Sequence, residues 1–408
     1  MLEQFKRYAD VLLNTCLKVE KNQPLLISYN KERQDFVDVI CDLAKSLGID
    51  DIFLDKQDPY LKHDSLLKYD IDELKKLPCW NKKDWDTYSR KGAAFLMLAS
   101  ETPGLMKDVD QDKLSKMTIY SYKTRDHFND SRDKSLLAWC IAAVPTESWA
   151  KEIFPDSSNP VEDLWNKIFE MCLLDQDYKN VWDNKIKKFK ERAKKLNDYN
   201  FKTLKYTSSN GTNFSINLPE NHIWATGYET LANGKEVLVN FPTEEIFTSP
   251  DKDSANGIVY SSKPLSYQNV LIDNFYIEFK DGKVINFGAE KGEETLKSMI
   301  NICENSNMLG EVALVPNDSP ISNTNLVYLE TLFDENAACH LALGDSFPEC
   351  IQNGPSKTKD ELFALGLNKC ESHVDFMIGN KDLNIKGITK DNKEVDIFVD
   401  GNFSKIFN

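Results

Sequence analysis

Histidine is rare in this sequence, and cysteine occurs without any paired motif. The 408 residues include five histidines, so few imidazoles are available for catalysis or metal binding. The nine cysteines are an odd number, they are scattered, and none forms a CxxC pair. This pattern argues against a disulfide framework and a cysteine zinc site, and it favours reduced thiols. We therefore predict a cytoplasmic protein.

Long apolar runs and basic clusters are also missing. The longest apolar stretch, near residues 92–99, is much shorter than the roughly 20 residues that a helix needs to cross a bilayer. The N-terminus has the spacing of an amphipathic helix and lacks a signal-peptide cleavage site. The net charge of −15, from 50 basic and 65 acidic side chains, repels phosphate backbones. We expect neither a membrane nor a nucleic acid as a partner.

Several common catalytic motifs do not occur in the sequence. We find no GxGxxG, no P-loop, no GxSxG elbow and no HExxH. The chemistry must therefore come from other residues, and the strongest candidates are carboxylate and imidazole side chains in the second half of the chain.

The order of apolar segments predicts two domains of different class. Four apolar runs are predicted to be buried strands: residues 24–29, 51–54, 93–99 and 136–144. They alternate with helical patterns, so residues 1–195 are predicted to form an α/β N-terminal domain with a largely parallel sheet. Turn signals at residues 210–211 and 281–282 then indicate hairpins. Residues 196–408 are predicted to form an α+β C-terminal domain rich in antiparallel strands, and this is the expected catalytic domain.

The stretch SHVDFMIG, residues 372–379, has the alternation of a strand. In a strand, His373, Asp375 and Met377 share one face, and the opposite face is wholly apolar. An imidazole beside a carboxylate suits a divalent metal such as zinc, cobalt or manganese. An Asp–His hydrogen bond without a metal is the alternative interpretation of this stretch taken alone.

A second histidine, His340, lies in TLFDENAACHLALGDSF, residues 331–347. If this stretch is helical, His340 shares a face with Asn336. The alternative is a buried core histidine without a metal. Asp334, Glu335 and Asn336 are expected either to orient His340 or to cap the helix that carries it.

Two glutamates also lie in apolar surroundings. Glu245 stands in FPTEEIFTSP beside Glu244, and Glu311 stands in LGEVALVP. A buried carboxylate without a partner is costly, so each needs a basic neighbour or a shared metal. Two glutamates, two histidines and one aspartate are about the ligand inventory of a two-metal hydrolase.

Four stretches of the second half occur in a particular order and spacing: FPTEEIFTSPDKDSANGIVYSSKPL, GEVALVPNDSPIS, TLFDENAACHLALGDSF and HVDFMIG. In both respects they resemble the metal-dependent aminopeptidases of the aminopeptidase T / aminopeptidase S family. The resemblance is strong across residues 218–408 and weaker before them. It implies a two-domain cytoplasmic exopeptidase that removes N-terminal residues from peptides with a free N-terminus. It also implies a homodimer that encloses an internal chamber.

The resemblance further implies two divalent metal ions in the C-terminal domain. Zinc and cobalt are expected first, with manganese and magnesium as alternatives. The family's metal ligands correspond to five residues of this chain: Glu245, Glu311, His340, His373 and Asp375. The family also uses a tyrosine where this chain has Phe347, which has no hydroxyl group. A water molecule, Tyr267 or Tyr328 would take its place, or one metal site is weak.

Peptide hydrolysis also needs a general base. Glu244, beside Glu245, is predicted to serve, although alternation in an extended segment would turn it away. Either Glu245 or Glu311 is expected to bridge the metals. Two other functions stay open: a non-catalytic relative, motivated by Phe347, and a dinuclear hydrolase of another class, such as a phosphoesterase. The negative charge disfavours the phosphoesterase.

Overall fold

The computed structural model describes residues 1–174, 177–268 and 270–408. These residues fall into two compact units. Unit 1 comprises Met1–Asn184, Gly227–Thr243 and Gln268–Val270, and unit 2 comprises Lys185–Thr226, Glu244–Tyr267 and Leu271–Asn408. Unit 1 therefore includes segments from the second half of the chain. The domain limits predicted from the sequence are 1–195 and 196–408. They divide the chain at other residues than the compact units do, and they remain a prediction.

Most helices of the described residues precede residue 200. They are α1 Leu2–Asp10, α2 Gln34–Ser46, α3 Pro59–Lys68, α4 Ile71–Leu74, α5 Lys83–Arg90, α6 Gln111–Lys123, α7 Asp126–Asp133, α8 Glu147–Ile153, α9 Pro160–Met171, α10 Tyr178–Tyr199, α11 Glu293–Ile300, α12 Thr331–Glu335 and α13 Lys359–Ala364. The predicted N-terminal helix is α1, and it continues as a π-helical segment, Val11–Cys16. No helix in the described part of the chain is both long enough and apolar enough to cross a membrane.

Strands occur throughout the chain and dominate its second half. They are β1 Leu25–Asn30, β2 Ile52–Gln57, β3 Ala94–Ala99, β4 Trp139–Ala143, β5 Thr203–Thr207, β6 Asn213–Asn217, β7 Ala225–Thr226, β8 Tyr228–Thr230, β9 Glu236–Leu238, β10 Asn240–Phe241, β11 Ile246–Thr248, β12 Asn256–Tyr260, β13 Leu265–Tyr267, β14 Val270–Lys280, β15 Lys283–Lys291, β16 Leu309–Leu314, β17 His340–Gly344, β18 His373–Met377, β19 Asn384–Ile388, β20 Glu394–Val399 and β21 Asn402–Phe403.

Unit 1 contains a parallel sheet. Among the described residues its strand order is β10-β4-β3-β1-β2, and every neighbouring pair is parallel. Residues of β1 and β3 are almost continuously buried, as expected for strands that helices cover on both faces. The α/β prediction is confirmed. The edge strand β10 was not predicted, because two residues carry no periodic pattern.

Unit 2 contains two antiparallel sheets. In its described residues the larger sheet runs β13-β14-β12-β6-β5-β19-β20-β21, with β15 paired to β14, and the smaller runs β18-β17-β16-β11-β7. The β14–β15 turn places Asp281 and Gly282 at φ 48° and 82°, as a tight hairpin turn requires. One hydrophobic core joins side chains of both sheets, including Phe214, Ile277 and Leu341. The α+β prediction is confirmed.

Candidate metal centre

The smaller sheet of unit 2 has one apolar face and one polar face, because side chains alternate along each strand. The apolar face belongs to the buried core and includes five side chains of β16, β17 and β18: Val312, Leu314, Leu341, Leu343 and Phe376. The opposite face carries four of the predicted ligands: Glu311, His340, His373 and Asp375. The predicted metal ligands therefore lie on one face of this sheet, and the side chains that pack in the core lie on the other.

The strand register gathers the polar side chains around Ala342. Glu311 of β16 and Asp375 of β18 are both paired with Ala342 of β17. His340 lies two residues before Ala342, and His373 lies two residues before Asp375, so both imidazoles share the face of the two carboxylates. The methyl group of Ala342 fills little of the space between its neighbours. The strand register thus brings two imidazole and two carboxylate side chains close together.

Glycine at position 344 lets β17 approach the segment that leads into β18. Gly344 has a φ of +115°, and a Cβ atom there would lie 2.0 Å from the backbone oxygen of Ser372. Such a contact is sterically impossible, so a side chain at this position would push apart the pair Gly344–His373. The position of His373 therefore depends on this glycine.

The helical interpretation of the segment around His340 is wrong. Helix α12 ends at Glu335, and His340 is the first residue of β17. A short apolar run such as His340–Gly344 fits either a buried helix or a buried strand, and pairing with β16 and β18 decides for the strand. Helix α12 is capped by the side chain of Glu330 rather than by Asp334.

His340 faces the carboxylate of Glu245, which directly precedes β11. The two atoms His340 Nε2 and Glu245 Oε2 are 3.2 Å apart. His340 Nδ1 lies 2.9 Å from the backbone oxygen of Glu335 and 3.1 Å from that of Ala338. A carbonyl oxygen only accepts, so Nδ1 carries a proton and donates it. A neutral His340 would then point the lone pair of Nε2 at a carboxylate, and this arrangement requires a cation or a second proton between them.

His373 has the same arrangement. Its Nδ1 donates to the backbone oxygen of Asp345 at 2.8 Å, and its Nε2 lies 3.0 Å from Glu311 Oε2. Asp375 Oδ1 is 3.3 Å from the same Nε2. Within the described residues this buried oxygen accepts no hydrogen bond. A buried carboxylate oxygen without a donor is costly, and a metal ion would satisfy it.

Two donor groups result, and they share one residue. Glu245, Glu311 and His340 form the first, and Glu311, His373 and Asp375 form the second. In each group one ligand atom per residue lies within 4.8 Å of the others. Carboxylate oxygens and imidazole nitrogens are donors that divalent zinc, cobalt and manganese accept. The residues present therefore fit two divalent cations around Glu311.

The protonation of the centre reflects burial and mutual attraction. Burial raises the pKa of Glu311 to about 7. Burial alone would lower the pKa of His340, but the carboxylates of Glu245, Glu311 and Asp375 outweigh it and raise the pKa to about 9. Burial likewise opposes the raised pKa of His373, which Asp375 and Glu311 produce. Without metal, protons on the imidazoles supply the positive charge that the carboxylates demand.

Glu335 is a further buried carboxylate beside the two groups. Burial raises its pKa well above the usual range, and the charges of Asp375, Glu245 and Glu311 raise it further. Its Oε1 accepts a hydrogen bond from Asn336 Nδ2 at 3.2 Å. From the sequence we expected this residue either to orient His340 or to cap the helix, and its backbone oxygen accepts the hydrogen bond from His340 Nδ1. The proximity of its carboxylate to the ligands was missed, because it depends on the turn between α12 and β17.

Glu244, the predicted general base, lies in a different environment from its neighbour Glu245. Its Oε1 pairs with Lys185 Nζ, and its backbone N–H donates to Asn336 Oδ1 at 2.7 Å. Burial raises the pKa of Glu244, while Lys185 opposes the shift. Neither donor group found in the described residues includes Glu244.

Phe347 forms an apolar wall beside the centre. Its ring centroid lies 4.7 Å from that of His373 and 5.4 Å from that of Phe247. Of the two tyrosines considered as replacements for its missing hydroxyl, Tyr328 is buried with its ring 5.2 Å from Phe333.

The chain is similar to three aminopeptidase-related proteins over almost its whole length. The solved structure of wild-type AmpT from Thermus thermophilus matches with a TM-score of 0.89 and 28% identity, covering 98% of this chain and 99% of that chain. Aminopeptidase AmpS of Bacillus subtilis (strain 168) is 35% identical over 408 residues, which cover 98% of each chain. Aminopeptidase 2 of Geobacillus stearothermophilus is 35% identical over 405 residues, again 98% of each chain.

The fold, the donor groups and these similarities define a metal-dependent peptide hydrolase. The chain belongs to the thermophilic metalloprotease (M29) family, whose model matches residues 1–403. The resemblance inferred from the four sequence stretches is confirmed.

Proposed function

We propose that this chain is an aminopeptidase that removes N-terminal residues from peptides through a dinuclear metal centre. The observation that carries the proposal is the position of Glu311, which lies in both His–carboxylate groups on one buried sheet face. The names of the similar proteins, Aminopeptidase AmpS and Aminopeptidase 2, support the reaction class.

The five predicted ligands divide between two ions. Glu245, Glu311 and His340 would hold one ion, and Glu311, His373 and Asp375 would hold the other. Zinc or cobalt suits this mixture of oxygen and nitrogen donors, with manganese or magnesium as alternatives. When bound, such ions polarise a peptide carbonyl and lower the pKa of a water molecule.

The protein orients both imidazoles in advance. The backbone oxygens of Glu335 and Asp345 hold the Nδ1 protons of His340 and His373, so each Nε2 lone pair faces the centre. Such outer partners fix the tautomer and ring orientation of metal-binding histidines. Glu311 and Asp375 are both paired with Ala342 of β17, so strand pairing holds their backbones beside each other.

A general base must take a proton from the attacking water and return it to the leaving amine. Glu244 is our sequence-based choice, and its ion pair with Lys185 ties it to a cation. Glu335 is the second candidate, and the specific observation in its favour is electrostatic coupling to Asp375, Glu245 and Glu311. Because the carboxyl group of Glu335 is buried beside these three carboxylates, it holds a proton at neutral pH until cations neutralise their charge.

The reaction class is tested with metal-stripped protein and leucine p-nitroanilide. We expect release of p-nitroaniline after addition of zinc or cobalt, and none from the N-acetylated substrate. Equal cleavage of the acetylated substrate would contradict the requirement for a free N-terminus. Cleavage that survives complete metal removal would contradict the metal centre.

The homodimer implied by the resemblance is part of the proposal. Light scattering coupled to gel filtration should give twice the mass of one chain. The mass of a single chain across micromolar concentrations would remove the dimer from the account without affecting the metal centre.

A further inference from the structure

Two cysteines outside the donor groups lie in contact. Cys303 belongs to the segment between α11 and β16, and Cys370 lies in the segment that leads into β18. Their Sγ atoms are 3.1 Å apart, although 67 positions separate them in the sequence. A disulfide bond is about 2.05 Å long, so the two sulfur atoms need to move together by only about 1 Å to form one.

Hydrogen bonds already tie the two segments together beside the sulfur atoms. Asn305 Nδ2 donates to the backbone oxygen of Lys369 at 3.1 Å. Asn368 Nδ2 donates to the backbone oxygen of Asn305 at 2.9 Å. The backbone on both sides is therefore fixed near the geometry that a bridge requires, which limits the strain of forming it.

We propose that Cys303 and Cys370 are a reversible redox pair, which a peroxide oxidises to a disulfide that restrains the segment leading to His373. Cys303 is half-buried and accessible to a small oxidant, whereas Cys370 is 6% exposed. This asymmetry assigns the attacking role to Cys303 and the resolving role to Cys370.

The contact between the thiols also prepares Cys303 for attack. A hydrogen bond from the Cys370 thiol lowers the pKa of Cys303 to about 7, although burial opposes the shift. The same contact raises the pKa of Cys370, so this thiol keeps its proton while it donates. A partly exposed thiolate beside a resolving thiol is the arrangement found in redox-sensitive cysteines.

The oxidation proceeds in two balanced steps. The Cys303 thiolate attacks one oxygen of the peroxide, an S–O bond forms, the O–O bond breaks, and a sulfenic acid and hydroxide result. The Cys370 sulfur then attacks the sulfenic sulfur, the S–S bond forms, and the departing hydroxide takes the Cys370 proton as water. The proton that Cys303 released on ionisation converts the hydroxide of the first step into water, so two thiols and one hydrogen peroxide give one disulfide and two waters. An external dithiol reverses the reaction by exchange.

Asp345 connects the pair to the candidate metal centre. Its Oδ1 accepts from the backbone N–H of Cys370 at 3.0 Å, and its backbone oxygen accepts from His373 Nδ1 at 2.8 Å. A disulfide at Cys370 therefore restrains the residue that orients His373. The effect on metal retention rests on the proposed function, whereas the cross-link itself does not.

The cross-link is tested on reduced, metal-free wild-type protein treated with hydrogen peroxide. Remaining thiols are alkylated, and linked peptides are mapped by mass spectrometry. We expect a Cys303–Cys370 peptide, loss of two alkylatable thiols, and reversal by dithiothreitol. The Cys303→Ser variant should leave Cys370 alkylatable, whereas Cys41→Ser, which removes another half-buried cysteine, should still form the bridge. Irreversible oxidation of Cys303 with Cys370 still alkylatable would overturn the proposal, as would reaction of other cysteines first.

The restraint is tested on metal-loaded protein with and without the mapped bridge. Transfer of zinc to a colorimetric chelator should be at least several-fold slower from the oxidised form, and dithiothreitol should restore the faster rate. Equal transfer rates from the two forms would refute the restraint. Failure of both forms to bind zinc would count against the proposed metal centre, while the peptide map would still decide the redox pair.

Discussion

Substitutions on the two faces of strand β17 should have different effects. A change on the polar face should weaken metal binding, and a change on the apolar face should lower fold stability. Ala342 lies on the polar face, paired with Glu311 on one side and Asp375 on the other. Ala342→Val places two additional methyl groups between these carboxylates. We expect metal binding to fall strongly, because the donors are pushed apart. The unfolding free energy should fall by at most about 1–3 kcal/mol from overpacking, and the β-branched side chain suits a strand.

Leu341→Ala is the matched change on the apolar face. Leu341 is fully buried in the core of unit 2. Removing such a side chain costs about 2–5 kcal/mol. At about 2–4 °C per kcal/mol for a unit of this size, the Tm should fall by roughly 4–20 °C. The number of bound metal ions below that Tm should stay at the wild-type value, because the truncated side chain faces away from the donors.

Both variants are examined by the same two measurements. Elemental analysis after gel filtration gives metal ions per chain, and calorimetry in excess chelator gives a Tm without the contribution of bound metal. A full metal content in Ala342→Val would contradict the placement of Ala342 between the metal-binding carboxylates. Loss of metal from Leu341→Ala, at a temperature where calorimetry shows this variant to be folded, would contradict the separation of the two faces.

Three further predictions concern the chemistry of the centre. Phe347→Tyr adds a hydroxyl beside His373 and should tighten zinc binding severalfold by competition with a chelator; an unchanged affinity would show that this position does not face the ions. The raised pKa values of His340, to about 9, and of His373 mean that metal must displace imidazole protons at pH 7. Apparent affinity should therefore increase from pH 6 towards pH 9, with proton release measurable by calorimetry in two buffers, and pH-independent binding would contradict the assignment. Glu244→Gln and Glu335→Gln should each leave metal content intact, and kcat should fall by about 10²–10⁴-fold only for the variant that removes the general base; normal turnover in both would exclude both residues.

Much of the fold follows from local sequence patterns. The apolar runs of the first half became the parallel strands β1 to β4, since each run is uninterrupted and flanked by helical patterns. The expected burial of residues 51–54 is wrong, because β2 is the edge strand of the sheet and Leu54 is 38% exposed. The hairpin at Asp281 and Gly282 could also be predicted from the sequence, because its turn needs residues that tolerate positive φ. By contrast, β10 joins the parallel sheet from a position about 100 residues later than β4 in the sequence. Long-range pairing of this kind leaves no local signal.

The candidate site was predictable as a set of residues but not as an arrangement. Alternation in HVDFMIG correctly placed His373 and Asp375 on one face of β18. The strand that carries His340 was missed, because pairing on both sides decided its conformation rather than helix propensity. The contact of Cys303 with Cys370 could not be predicted from the sequence, since two cysteines so far apart in the chain meet only through tertiary structure.

The most direct test of the account is the number of metal ions bound by Glu311→Gln. This variant keeps the shape of the side chain and removes the carboxylate that both donor groups share. We predict two ions per chain for the wild type, about one for His340→Ala and for Asp375→Asn, and fewer than one for Glu311→Gln. A Glu311→Gln protein that binds as much metal as the single-site variants would contradict the shared centre.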